Sequence, residues 1–144
     1  MTILTIVLGA FALIETLNIV LLYAKPGSSL GNAVGVFNAY PKTQEDQQTR
    51  DFVNYLINWV AGTKLIFVAL IIGIILTAPP ETALFSAVAL VITVASFYLR
   101  LFPILRRMDA RGELSPRGYS RTLALMIAGF ITAFAVAVTV YLVI

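Results

Sequence analysis

KLIFVALIIGIILTAPPETALFSAVALVITVASFYLRLF, residues 64–102, decides what kind of chain this is. Two apolar runs flank Ala78-Pro79-Pro80-Glu81, and each approaches the ~20 residues a helix needs to cross ~30 Å of hydrocarbon. Neither run alternates with the period of 2 that marks a barrel strand. A helix is then the remaining way to satisfy every backbone group in lipid. The prolines stop the first helix and suit the opening turn of the second, where Glu81 meets a favourable dipole. The stretch reads as an antiparallel pair of membrane helices joined by a minimal turn.

The same texture recurs toward both ends. Apolar blocks give four spans at approximately 3–23, 52–77, 82–102 and 122–144. The expected fold is all-α, an integral membrane four-helix transmembrane bundle forming a single domain over residues 1–144. Composition agrees: the chain is 60% hydrophobic and 12% charged, against about 25% charged residues in soluble domains. The start, MTILTIVLGAF, lacks a positive n-region and is apolar for longer than a typical signal peptide, so it reads as a retained first span.

The first connection is long. Leu30, Ala33, Val34, Phe37 and Tyr40 recur in it at helical spacing, which suggests a short interfacial helix; Gly27, Gly31 and Gly35 favour a loop instead. Beyond Pro41, Thr43 and Asp46 have the spacing of a capping box, which would start helix 2 near Gln44 and carry its first turns into water. Arg106 to Arg121 reads as a compact basic loop.

Ten Lys and Arg residues sort to one side. Lys25, Lys42 and Arg50 belong to the first connection, and Arg106, Arg107, Arg111, Arg117 and Arg121 to the third. Lys64 and Arg100 lie in the halves of their spans nearer those connections. The positive-inside rule then places connections 24–50 and 103–121 in the cytoplasm and both termini outside, in what reads as a prokaryotic plasma membrane. The net charge of +3 is explained by topology, and no nucleic-acid partner is expected. Partners expected instead are the lipid bilayer, anionic lipid at the Arg-rich loop, and a second copy or another membrane protein.

Glu15 stands in the middle of span 1, where an isolated charge costs a few kcal/mol. It follows Ile3 by 12 residues, roughly 18 Å of helix, and Lys64 precedes Thr77 by a nearly equal roughly 20 Å. Opposite charges thus fall at one depth on consecutive spans, and a buried Glu15–Lys64 contact is expected, either ionic or as a neutral pair. The competing reading has Lys64 snorkel to the interface while Glu15 is protonated or faces a wet cavity. Asn18, Asn54, Asn58 and Arg100 complete a candidate polar cluster. Elsewhere the polar and small residues suggest packing seams: Ser86, Ala89, Thr93, Ser96 and Arg100 on helix 3, Gly129, Ala133 and Ala137 on helix 4, and Ala69 and Gly73 on helix 2. Tyr23, Tyr55, Trp59, Tyr98, Phe102 and Tyr119 read as an aromatic belt.

The chain has no Cys and no His. That removes thiolate chemistry, disulfides, the usual zinc and iron–sulfur ligand sets and the commonest neutral-pH base. A P-loop, a dinucleotide fingerprint and a metal-ligand cluster are also missing, so neither enzyme activity nor a cofactor is expected. A non-catalytic bundle, self-associating or accessory to a membrane complex, fits the size best. The stretch VLGAFALIE (Val7–Glu15) resembles the first helix of the small multidrug resistance exporters. That resemblance implies Glu15 as a site binding proton and cation in turn, and so a small proton-coupled transporter or channel as the alternative. A third reading is a lipid-modifying enzyme using Glu15 or Asp51 with Arg100 and Tyr98.

Overall fold

In a computed structural model, which describes residues 2–144, six α-helices carry the chain. They are α1 (Ile3–Ala24), the single-turn α2 (Tyr40–Thr43), α3 (Gln47–Thr77), α4 (Pro80–Ala95), α5 (Phe97–Ala110) and α6 (Tyr119–Val143). Four helical segments among the described residues are long and apolar enough to cross a membrane: Ile3–Ala24, Gln47–Thr77, Pro80–Ala110 and Tyr119–Val143. The protein is an all-α four-helix bundle and an integral membrane protein.

Helix α1 lies at the centre of the arrangement, packed on α3 along one side and α6 on the other; α4 and α5 pack against α6. Pro79 and Pro80 close α3 and open α4, with Glu81 in the first turn. From there α4 swings toward α6 and touches α3 only sparingly, so the expected hairpin pair is not the main contact of either helix. One core runs through all four spans. Phe11 sits at its middle, with the rings of Phe67, Phe130 and Phe134 edge-on at 6.1, 5.2 and 5.3 Å.

The third span departs from its predicted limits of 82–102. It continues as helix to Ala110 and is interrupted at Ser96. There the carbonyl of Thr93 accepts from both the Ser96 amide (3.2 Å) and its hydroxyl (2.5 Å). Such back-bonding competes with the regular ladder and bends helices. Arg106 and Arg107 are therefore helical residues, and the true loop is short, 111–118.

The seams also move. On α4 the buried line is Ala83, Ala87 and Leu90, continued by Phe97, while Thr93, Ser96 and Arg100 are exposed. Ser86 and Thr93 donate to the carbonyls of Thr82 and Ala89 one turn back, so their hydroxyls need no neighbouring helix. Ala137 is buried, but Ala69, Gly129 and Ala133 face outward. A methyl group added at Gly73 or Gly129 would meet nothing within 4 Å.

The first connection contains no interfacial helix over Leu30–Tyr40. A single 3₁₀ turn (Val34–Val36) and α2 are its regular parts. Gly35 presses onto Gly27 so closely that any Cβ would overlap that residue's carbonyl, a packing that only glycine permits. Thr43 ends α2 rather than capping the next helix. The cap of α3 is Asp46, whose carboxylate accepts from the Thr49 amide (2.8 Å) and hydroxyl (2.7 Å). Those bonds hold the Asp46 carboxyl below its ordinary value.

Two connections far apart in sequence are tied together at one end of the bundle. Phe37 and Leu114 form an antiparallel bridge, with the Asn38 amide donating to Glu113 O (2.9 Å) and the Ser115 amide to Val36 O (2.8 Å). Val36, Leu105, Leu114, Tyr119 and Leu123 bury a second core beneath this tie. At the other end Thr2, Ile3, Tyr141 and Ile144 line one cleft, so the start of α1 adjoins the end of α6.

Candidate functional site

The polar cluster is assembled by α1 and α3. Glu15 and Asn18 are one turn apart on α1, and Lys64 faces them from α3. Lys64 Nζ lies 2.6 Å from Glu15 Oε2 and donates a second bond to Asn18 Oδ1 at 2.7 Å. The side chains of Lys64 and Glu15 are 24% and 18% exposed, and Asn18 is buried. The ammonium is thus held between a carboxylate and an amide oxygen, a charge-assisted arrangement that links α1 to α3.

The other proposed members lie elsewhere. Asn58 Nδ2 donates to Asn54 O at 2.8 Å, a bond within α3 on an exposed surface. Asn54 stands 23 residues before Thr77, roughly 35 Å along the helix and beyond the ~30 Å hydrocarbon layer. Arg100 is exposed on α5, in no ion pair among the described residues. It follows Pro80 by 20 residues, roughly 30 Å, at the edge where a guanidinium reaches water. Asn54, Asn58 and Arg100 are therefore not part of the Glu15 cluster.

A cleft of about 180 Å³ adjoins the cluster, between α1, α6 and the first connection. Its walls are chiefly apolar, including Leu17, Leu21, Met126 and Phe130, and Glu15, Asn18 and Lys64 form its polar end. The Asn18 amide nitrogen is buried there without a partner among the described residues, close to Gly31. An unmet donor of this kind costs about 1–3 kcal/mol. Gly31 itself has φ +60°, and a side chain on it would crowd both Asn18 Nδ2 and Leu21 at 3.2 Å.

The aromatic belt divides in two. Tyr23, Tyr55 and Trp59 are exposed, as residues at a membrane surface would be. Tyr98 instead donates to Ala124 O (2.6 Å) and Tyr119 to Gly31 O (3.2 Å), bonds that tie α5 to α6 and α6 to the first connection. Asp51, named with Arg100 and Tyr98 for a lipid-modifying site, is exposed on α3.

Gly27-Ser28-Ser29-Leu30-Gly31 carries the letters of a G-x-S-x-G nucleophile elbow, a signal visible in the sequence alone. The context is missing: Ser29 is exposed in a turn region after α1, with neither a preceding strand nor a following helix. The chain also has no His to serve as base. No group of three metal-ligating side chains occurs among the described residues. Comparison with protein-family models, curated proteins and solved structures finds no match.

Proposed function

We propose that this protein is a non-catalytic membrane bundle, self-associating or serving as an accessory subunit of a larger membrane complex. The observation that carries the reading is the Lys64–Glu15 contact at 2.6 Å with Asn18 beside it. A carboxylate that shuttles protons or captures cations must be free to change partners, whereas this one is answered within the chain. Buried pairs of this kind commonly hold register. The outward small residues Ala69, Gly129 and Ala133 support close approach by another helix. The basic end faces the cytoplasm of a prokaryotic plasma membrane on this reading, with anionic lipid against the Arg-rich loop.

The cleft beside Glu15 favours a second reading, a small proton-coupled carrier. Proteoliposomes containing a trapped pH dye separate the two. Under an imposed gradient the bundle reading expects no protein-dependent proton flux, together with a discrete oligomer by light scattering in detergent. A flux that vanishes in Glu15→Gln, in protein that still folds, would overturn it in favour of transport.

A further inference from the structure

A cavity open to the surface lies at the tied end, where α5 hands over to α6. It measures about 530 Å³ and is lined by Arg106, Asp109, Arg111, Arg117, Gly118 and Ser120. Its single acidic side chain is already engaged. Asp109 accepts from the Gly118 amide (2.9 Å), the Ser120 amide (3.1 Å) and the Ser120 hydroxyl (2.6 Å). The carboxylate thus takes up the donors at the start of α6. Arg111 is engaged too, forking onto Glu113 at 2.6 and 2.8 Å, a pairing that lowers the Glu113 carboxyl below its ordinary value. Arg106 and Arg117 are exposed and in no ion pair among the described residues.

Two counts give the depth. Arg106 follows Pro80 by 26 residues and Gly118 precedes Val143 by 25, so both lie roughly 38 Å from the far membrane face. That is past the ~30 Å hydrocarbon core and inside the ~40–45 Å that includes headgroups. The cavity wall is also braced, because Asn38 Nδ2 donates to Gly112 O (2.9 Å) and the Ser115 amide to Val36 O (2.8 Å). Two unpaired guanidiniums on a braced frame can each fork onto two oxygens of a tetrahedral phosphate, a fit that diffuse surface charge does not provide.

We propose that this cavity is a phosphate-binding site in which Arg106 and Arg117 clamp a phosphomonoester or phosphodiester, the depth matching the phosphate of an anionic lipid. It rests on the reading that anionic lipid meets the Arg-rich loop and gives that contact named residues; it is independent of the accessory role and of the Glu15 cluster.

The test is native mass spectrometry of the full-length protein in detergent, titrated with phosphatidylglycerol or phosphatidylcholine of matched chains. Phosphatidylglycerol adducts should dominate on the wild type. R106Q/R117Q should lose about tenfold more affinity than K42Q/R50Q, which removes the same charge elsewhere on the basic side. Equal losses in the two variants, or none in R106Q/R117Q, would overturn the site and leave only a diffuse field. R106K/R117K, which retains charge without the fork, should recover part of the binding and keeps the test open if the glutamine pair does not fold. Inorganic phosphate forms the second arm. Displacement of the lipid would assign the cavity to free phosphate, and failure to displace would assign it to the headgroup; both uphold phosphate chemistry.

Discussion

Removing one charge of the Lys64–Glu15 contact should harm the protein more than removing both. At 2.6 Å, with an effective dielectric of about 20, the gross attraction is about 6 kcal/mol. Desolvation of each ion offsets several kcal/mol of that. Side-chain exposures of 24% and 18% place the pair between surface and interior. Breaking a buried pair typically costs about 3–5 kcal/mol, and the partial exposure argues for about 3 kcal/mol here. The two single variants are not equivalent. After Glu15→Gln, Lys64 keeps its bond to Asn18 Oδ1 and can extend toward the interface. After Lys64→Met, Glu15 loses its one side-chain partner among the described residues, so this variant should be the less stable. The double variant should recover most of the loss, giving a coupling of at least about 2 kcal/mol in a double-mutant cycle. Thermal unfolding in detergent reads this directly: a loss of about 3 kcal/mol lowers Tm by about 6–12 °C in a chain of this size. A coupling below about 0.5 kcal/mol, the limit of simple additivity, would refute the argument.

Two smaller perturbations test the connections. Gly35→Ala pushes a methyl group into the Gly27 carbonyl and should cost about 2 kcal/mol; limited proteolysis should then cut the first connection far faster, while the spans stay protected. Asp46 caps α3 with a carboxyl held below its ordinary value by Thr49. Its stabilising contribution is therefore complete above that ordinary value and is lost as pH falls through the lowered one. Amide exchange in the first turn of α3 should quicken only at that acid end, and Asp46→Ala should show the faster exchange at every pH.

Hydropathy made the four spans legible because it is a property of each run by itself and needs no knowledge of neighbours. Helical rise did the same for Glu15 and Lys64, placing them at one level before any packing was known. The same counting applied to Asn54 and Arg100 sets them near the membrane edge, where side-chain polarity alone had grouped them with Glu15. The seam on α4 was hidden for a chemical reason: Ser86 and Thr93 bond their own carbonyls, so a hydroxyl does not mark the face that meets a neighbour. The cap at Asp46 was hidden by competition, since Thr43 is equally suited to capping and only the turn at α2 decides between them. The tie between Phe37 and Leu114 has no local signal, because its partners lie on separate connections and neither alternates like a strand. The cavity with Arg106 and Arg117 depends on that tie and on the unexpected length of α5.

The Lys64–Glu15 contact also bears on how the chain is made. Both residues belong to α1 and α3, which leave the ribosome before α4 to α6. Their charges can therefore cancel before α4 to α6 exist, so neither helix must wait in the insertion machinery with a lone ion turned toward lipid.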